Sequence, residues 1–306
     1  MPECLNQEIH DQFTVMHGDC CELIKDLPDN SIGYTIFSPP FASLYTYSDS
    51  ERDMGNCATD EEFWEHFDYL IPELQRVTKP GRHVSFHCMN IPAMKERDGY
   101  IGLKDFRGDL IRAFQNHGFI FHSEVVIWKD PLIEATRTKA LGLMHKQLCK
   151  DSSKSRQGIP DYLVTMRAIG DNSNEPIAHS EGVDHWAGSD PPTTGNLSHE
   201  AWRRYASPVW MDIRQSHTLN KNEARDADDE RHICPLQLDV IERGIWMWSN
   251  PGDIVLSPFA GIGSELYTAI KMGRKAIGFE LKDSYYPIAV RHCYQAIEES
   301  RQQSLF

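Results

Sequence analysis

Two short loops hold residue types and spacings suited to chemistry. The first, Ser257-Pro258-Phe259-Ala260-Gly261-Ile262-Gly263, follows the apolar run Ile254-Val255-Leu256 and leads into a helical pattern. A glycine-bearing turn from strand to helix lets backbone approach a ligand, and the helix start offers free N–H groups. Glu280 ends the next strand, 17 residues after Gly263, where its carboxylate can accept hydrogen bonds from both hydroxyls of a ribose. Together these define a nucleoside-cofactor site. A dinucleotide fingerprint is excluded, because Leu266 stands where Gly-x-Gly-x-x-Gly needs a small third residue. The second loop, Ser38-Pro39-Pro40-Phe41, follows the apolar run Ile32 to Phe37. Consecutive prolines fix the backbone and remove two donors, so carbonyls are held outward as acceptors. With a hydroxyl before them and an aromatic ring after, they make a clamp for a flat group bearing an NH2. Ser38 Oγ and the Pro39 carbonyl accept the amine protons, and Phe41 stacks on the ring.

The elements that must position these loops follow from periodicity. Asp60 is placed to cap a helix with apolar positions Phe63, Phe67, Leu70, Ile71, Leu74 and Val77, stopped by Pro80-Gly81. A strand at Arg82 to Cys88, a helix through Phe106, Leu110, Ile111 and Phe114 ending at Gly118, and a strand at Phe119 to Trp128 come next. The last quarter reads as helix Pro235 to Trp248, strand Asp253 to Ser257, helix Ser264 to Met272, strand Lys275 to Glu280 and helix Ser284 to Glu299. This alternation predicts an α/β fold, a mostly parallel sheet with helices on both faces. His83 and His87 share a strand face, but no third ligand stands near them in sequence, so they read as sheet-surface histidines rather than a metal site.

The 306 residues carry 31 Lys+Arg against 45 Asp+Glu, a formal net charge of −14. This balance counts against binding nucleic acid through general basicity, while leaving room for a local basic groove. No apolar run approaches the roughly 20 residues that span a bilayer, and Met1 to Glu8 lacks the basic start and apolar core of a signal peptide. A cytoplasmic protein with no membrane partner is expected. The eight cysteines include no Cys-x-x-Cys pair and read as reduced thiols used as small apolar residues, with no metal expected.

Taken together, the loops resemble one family, the S-adenosylmethionine-dependent DNA methyltransferases that modify the N6 amine of adenine or the N4 amine of cytosine. That family has a catalytic (Asp/Asn/Ser)-Pro-Pro-(Tyr/Phe) clamp and an Asp-Pro-Phe-x-Gly-x-Gly cofactor loop, matched here by residues 38–41 and 257–263. The leader His17-Gly18-Asp19-Cys20 to Leu27-Pro28-Asp29-Asn30-Ser31-Ile32, the segment His232 to Arg243, and Gly278-Phe279-Glu280 resemble further family segments. With the clamp first and the cofactor loop last, the order is that of the permuted β class. The resemblance implies a Rossmann-like methyltransferase fold, a doubly wound sheet with an inserted variable target-recognition region. The expected organisation is a catalytic half at 1–130, the target-recognition region at 131–231 and a cofactor-binding half at 232–306. Ser38, Pro39, Pro40 and Phe41 would be catalytic, and Asp19, Ser257, Pro258, Phe259, Ala260, Gly261, Gly263, Ser264 and Glu280 would bind S-adenosyl-L-methionine. Double-stranded DNA is the implied partner, with a cognate restriction endonuclease possible and a bacterial or phage source implied. Ser257 departs from the family's aspartate, which helps hold the cofactor's ammonium, and Asp19 is the candidate to compensate.

The implied reaction flips the target base into the clamp, where in-line displacement needs no covalent intermediate. No strong general base is required, since the amine's proton leaves to the acceptors or to water. Ser38 favours cytosine N4, with adenine N6 the alternative. An RNA or small-amine methyltransferase, and an inactive cofactor-sensing module suggested by Ser257, are competing readings. The stretch Ala42 to Ser48 is a candidate cover for the site. Between residues 130 and 231 stands a basic segment, Arg137, Lys139, Lys146, Lys150, Lys154, Arg156 and Arg167 against only Asp151 and Asp161, suited to tracking phosphates. Trp186, Trp202 and Trp210 add stacking capacity or belong to core and loops.

Overall fold

The computed structural model describes residues 4–41, 54, 57, 59–93, 95–138, 145–179, 199–219 and 235–303. The strands are β1 (Cys4–His10), β2 (Phe13–Gly18), β3 (Ile32–Phe37), β4 (Thr78–Cys88), β5 (Ile91–Ala93), β6 (Gly102–Lys104), β7 (Ile120–Ile127), β8 (Asp161–Arg167), β9 (Val209–Trp210), β10 (Ile254–Ser257) and β11 (Lys275–Glu280). The helices are α1 (Cys20–Leu23), α2 (Asp60–Val77), α3 (Lys95–Asp98), α4 (Phe106–Asn116), α5 (Pro131–Thr138), α6 (His145–Leu148), α7 (His199–Ala206), α8 (Leu238–Trp248), α9 (Ser264–Lys271) and α10 (Tyr286–Gln303).

Nine strands form one sheet in the order β1-β2-β11-β10-β3-β4-β8-β7-β9, and β5 and β6 pair separately. From β2 to β4 the neighbours run parallel; β1 and β8 are antiparallel to theirs. Every residue of β3 is buried, which is why its sequence is nearly all apolar rather than alternating. One face of the sheet packs on α2 and α4 through Phe63, Phe67, Leu70, Leu110 and Phe114. The other packs on α8, α9 and α10 through Val240, Ile245, Leu266, Ala269, Ala289 and Cys293. The expected Rossmann-like, mostly parallel α/β fold with helices on both faces is the one observed.

Several boundaries differ from expectation for local reasons. Thr59, not Asp60, caps α2, its hydroxyl accepting from the Glu62 N–H at 3.2 Å. Pro80-Gly81 does not separate helix from strand but lies within β4, which begins at Thr78. Gly81 takes φ +71°, bending the strand start so that the Arg82 guanidinium turns inward to Asp253 at 3.0 Å. The helix expected from Pro235 starts at Leu238, and the one expected from Ser284 runs Tyr286–Gln303. His83 and His87 are not surface residues, because β4 lies inside the sheet between β3 and β8. His83 packs on the Trp248 ring at 4.6 Å and the His122 ring at 4.8 Å, and burial lowers its pKa to about 3. Four residues apart on one strand, the two histidines are about 13 Å from each other, too far to share an ion.

Parts of the middle region belong to this architecture. Asp161–Arg167 and Val209–Trp210 are strands of the nine-stranded sheet. Glu175 reaches Lys79 at 2.9 Å, at the start of β4 and so at the sheet end opposite Ser38. Lys139, Trp186 and the stretches 42–48 and 188–196 lie outside the described residues.

Candidate active site

The two loops meet because β3 and β10 are parallel neighbours, with Val255 opposite Tyr34 and Leu256 opposite Thr35. From this point the chain proceeds in opposite directions, β3 to β4 on one side and β10 to β11 on the other. Such a switch point leaves a crevice beyond the carboxyl ends of the strands, where α/β proteins bind ligands. Ser38 is half-buried in it, while Pro39 and Pro40 are buried. The ring of Phe41, expected to stack on a ligand, packs on Phe106 at 6.0 Å and is partly exposed.

The cofactor loop is tied to the sheet by the Ala260 N–H, which donates to the Phe279 carbonyl at 2.8 Å. Gly263 takes φ +87° and passes so close to α10 that a Cβ there would sit 3.0 Å from Ala289 Cα. Gly261, at φ +53°, has no atom within 4 Å of a Cβ position, so its backbone borders open space. Its N–H donates to Glu280 Oε2 at 2.6 Å, and the Lys282 N–H donates to Oε1 at 2.8 Å. Glu280 is therefore at the end of β11, one strand beyond the loop. Ser257 Oγ is buried without a hydrogen-bond partner among the described residues. Pro258, Ala260 and Ser264 are buried, and the partly buried Phe259 packs on Phe37 at 5.7 Å and Phe67 at 6.5 Å. Asp19 lies at the end of β2, next to Glu280 and two strands from Ser257, and its carboxylate accepts the Cys21 N–H at 2.9 Å. Glu265, which sequence reasoning passed over, is buried at the start of α9; burial, with Glu280 facing it, pushes its carboxyl up to about 8.

A second group absent from the sequence reading completes the clamp. His87, at the carboxyl end of β4, places Nδ1 3.2 Å from Ser38 Oγ and Nε2 3.2 Å from Asp161 Oδ2. Asp161 opens the antiparallel β8, and its other oxygen is ion-paired with Lys129, just after β7. Burial would raise the Asp161 carboxyl, but the facing His87 and Lys129 outweigh it and hold the group below the usual carboxylate range. By sequence alone His87 reads as a sheet-surface histidine, and Asp161 as an acid within the basic segment.

The basic segment is divided by the structure. Lys146 and Lys150 are exposed, whereas Arg156 is half-buried with its guanidinium 3.9 Å from Glu134. Arg167 ends β8 and donates to the Gly170 carbonyl at 3.3 Å. Arg137 lies on α5 and Lys154 in a single helical turn at Ser152–Lys154. Trp202 is exposed, and Trp210 is a core residue, 1% exposed.

A switch-point crevice with a glycine loop and a Ser-Pro-Pro-Phe loop at the ends of adjacent parallel strands is the arrangement of an α/β ligand-binding site. The profile of the DNA methylase family, the N6- and N4-methyltransferases, matches residues 32–291, and the chain belongs to that family. It is 24% identical over 277 residues to the type II methyltransferase M.BglII of Bacillus subtilis, covering 90% of this chain and 67% of that one. It is 28% identical over 273 residues to M.BamHI of Bacillus amyloliquefaciens, covering 87% of this chain and only 53% of the relative, so it spans about half of that protein's length. The fold matches the DNA modification methylase TTHA0409 of Thermus thermophilus, solved with S-adenosyl-L-methionine, at a TM-score of 0.60 and 20% identity, covering 92% of this chain and 94% of that one.

Proposed function

We propose that the protein transfers the methyl group of S-adenosyl-L-methionine to the N4 amine of a cytosine flipped out of double-stranded DNA. The observation that carries this reading is the meeting of the Ser38 clamp and the 257–263 loop on adjacent parallel strands. The residues fit the cofactor: Gly261 borders open space, Ser257 Oγ is a buried polar atom without a partner among the described residues, and Glu280 caps the neighbouring strand. When bound, it supplies an electrophilic methyl group. Glu280 would accept from the ribose hydroxyls in exchange for its present backbone donors, with Asp19 at the nucleoside end and Ser257 at the end nearer Ser38.

On the acceptor side, the target nitrogen is a poor nucleophile because its lone pair is delocalised into the ring. Ser38 Oγ and the Pro39 carbonyl, both accepting from the NH2, favour a pyramidal nitrogen aimed along the line of displacement. Buried Pro39 and Pro40 keep these acceptors rigid. Ser38 rather than an acid or amide in the first clamp position is the reason for assigning cytosine. DNA is engaged through a basic patch that includes exposed Lys146 and Lys150.

Incorporation of tritiated methyl groups into unmethylated DNA tests the reading. We expect transfer by the wild type, a fall of at least 100-fold in Ser38→Ala, and no transfer to RNA. The uncharged Ser257 supports a second reading, a cofactor sensor without activity; cofactor binding by calorimetry without transfer to mixed-sequence DNA would establish that one instead.

A further inference from the structure

We infer that Ser38, His87 and Asp161 form a proton relay, in which His87, held between Asp161 and Ser38, takes the target amine's proton through the Ser38 hydroxyl. The inference rests on the methyl-transfer reading and adds a base where the clamp alone offers only acceptors. Three separated strand ends supply it: Ser38 after β3, His87 on β4 and Asp161 at the start of β8. Because β8 runs antiparallel to β4, its first residue meets the last residues of β4 at the crevice. The register pairs His87 with Leu163 and Cys88 with Tyr162, so Asp161 is the diagonal neighbour of His87, and its carboxylate reaches to 3.2 Å from the ring.

The charges order the ring. Asp161 Oδ2 lies 3.2 Å from Nε2, so the carboxylate draws the imidazole N–H to that side and leaves the Nδ1 lone pair for the Ser38 O–H, 3.2 Å away. The Nε2 approach is off the hydrogen-bond axis, and its force is mainly electrostatic. His87 and Lys129 together hold the Asp161 carboxyl below its usual range despite burial. Among the described residues, Ser38 just after β3 and Asp161 of β8 face His87, and Lys129 just after β7 faces Asp161. On the α8 side, Arg214, His217 and Asp239 are paired among themselves.

The step balances. The nitrogen lone pair forms the N–CH3 bond as the S–CH3 bond breaks, its electrons staying on sulfur. The nitrogen, now cationic, gives one proton to Ser38 Oγ while Ser38 passes its own proton to His87 Nδ1. The hydroxyl is regenerated, and the imidazolium is stabilised by Asp161 until it loses the proton to water. His87 acts through Ser38 and is a positioning and relay residue rather than one that touches the base.

Single-turnover methylation of unmethylated DNA across pH, with wild type, His87→Gln and Asp161→Asn, tests the relay. General-base assistance contributes about 10²–10⁴-fold, so we expect His87→Gln to lower the single-turnover rate at saturating DNA about 100-fold or more, with cofactor Kd and DNA KM within about threefold. The wild-type rate should fall on the acid side as the imidazole is protonated, and the variant should lose that limb. Asp161→Asn, which no longer selects the tautomer, should lower the rate at least about tenfold. A His87→Gln rate within threefold of wild type, or a retained acid limb, would overturn the relay and leave methyl transfer intact. Nitrogen-15 NMR of the histidines in the wild type gives an activity-independent reading, with His87 assigned by its absence in the variant. A proton on Nε2 supports the relay, and one on Nδ1 overturns it, even if wild type transfers no methyl and the methyl-transfer reading itself fails.

Discussion

Glu265 is a residue whose environment conflicts with its charge. Burial at the start of α9 places its folded pKa near 8 against 4.5 for a free glutamate. Between these values the unfolded chain has released a proton that the folded carboxyl keeps, so stability falls as pH rises from about 4.5 to 8 and is level above that window. Glu265→Gln removes this slope. The variant should be more stable than wild type at pH 9 by up to about 5 kcal/mol, the difference vanishing near pH 4.5 in denaturant titrations. At the same scale, Glu280→Ala should weaken cofactor binding at least tenfold by calorimetry while leaving the melting temperature little changed. Ser38, Gly261 and Glu280 were legible in the sequence because their signals are local: a proline pair, a glycine turn, an acid ending a strand. His87, Asp161 and Lys129 come from separate strand ends, and only strand order and register bring them to Ser38.

Among elements, the strands on either side of β3 are tied together at the sheet end away from Ser38. Arg82 at the start of β4 and Asp253 before β10 are 1% and 5% exposed and lie 3.0 Å apart, joining strands on either side of β3. Asp253 also accepts the Asn250 N–H at 2.7 Å, which fixes the turn into β10. Removing Asp253 leaves the buried Arg82 guanidinium only the Glu175 carboxylate, 3.6 Å away and half exposed, so Asp253→Ala should cost up to about 3–5 kcal/mol in urea unfolding. A loss below about 1 kcal/mol would show that the guanidinium finds another partner. The α/β alternation was readable from periodicity, as were α2, α4 and β11. The start of β4 was not, because Pro80-Gly81 is locally a stop signal, and here tertiary pairing of Arg82 overrides it. Nor was β8, whose Tyr162, Val164 and Met166 alternate within a stretch dominated by its basic neighbours.

For the whole molecule, a net charge of −14 and a polyanionic partner are compatible only if the cations are gathered. Arg156 and Arg167 are engaged within the fold, and Lys146 and Lys150 are exposed among the described side chains of the segment. Each phosphate contact contributes a slope of about −0.9 to the dependence of log K on log salt. Lys146→Gln combined with Lys150→Gln should therefore flatten that slope by about 1–2 in fluorescence titrations, with cofactor binding unchanged; an unaltered slope would place the DNA path elsewhere. Methyl transfer to a cytosine amine is read out in its product. Unmethylated DNA incubated with enzyme and S-adenosyl-L-methionine, then digested to nucleosides and resolved by mass spectrometry, should yield N4-methylcytidine in its deoxy form, absent with Ser38→Ala. N6-methyladenine instead would contradict the assignment of the base, and no methylated nucleoside at all, from enzyme that binds the cofactor, would contradict the assignment of the reaction.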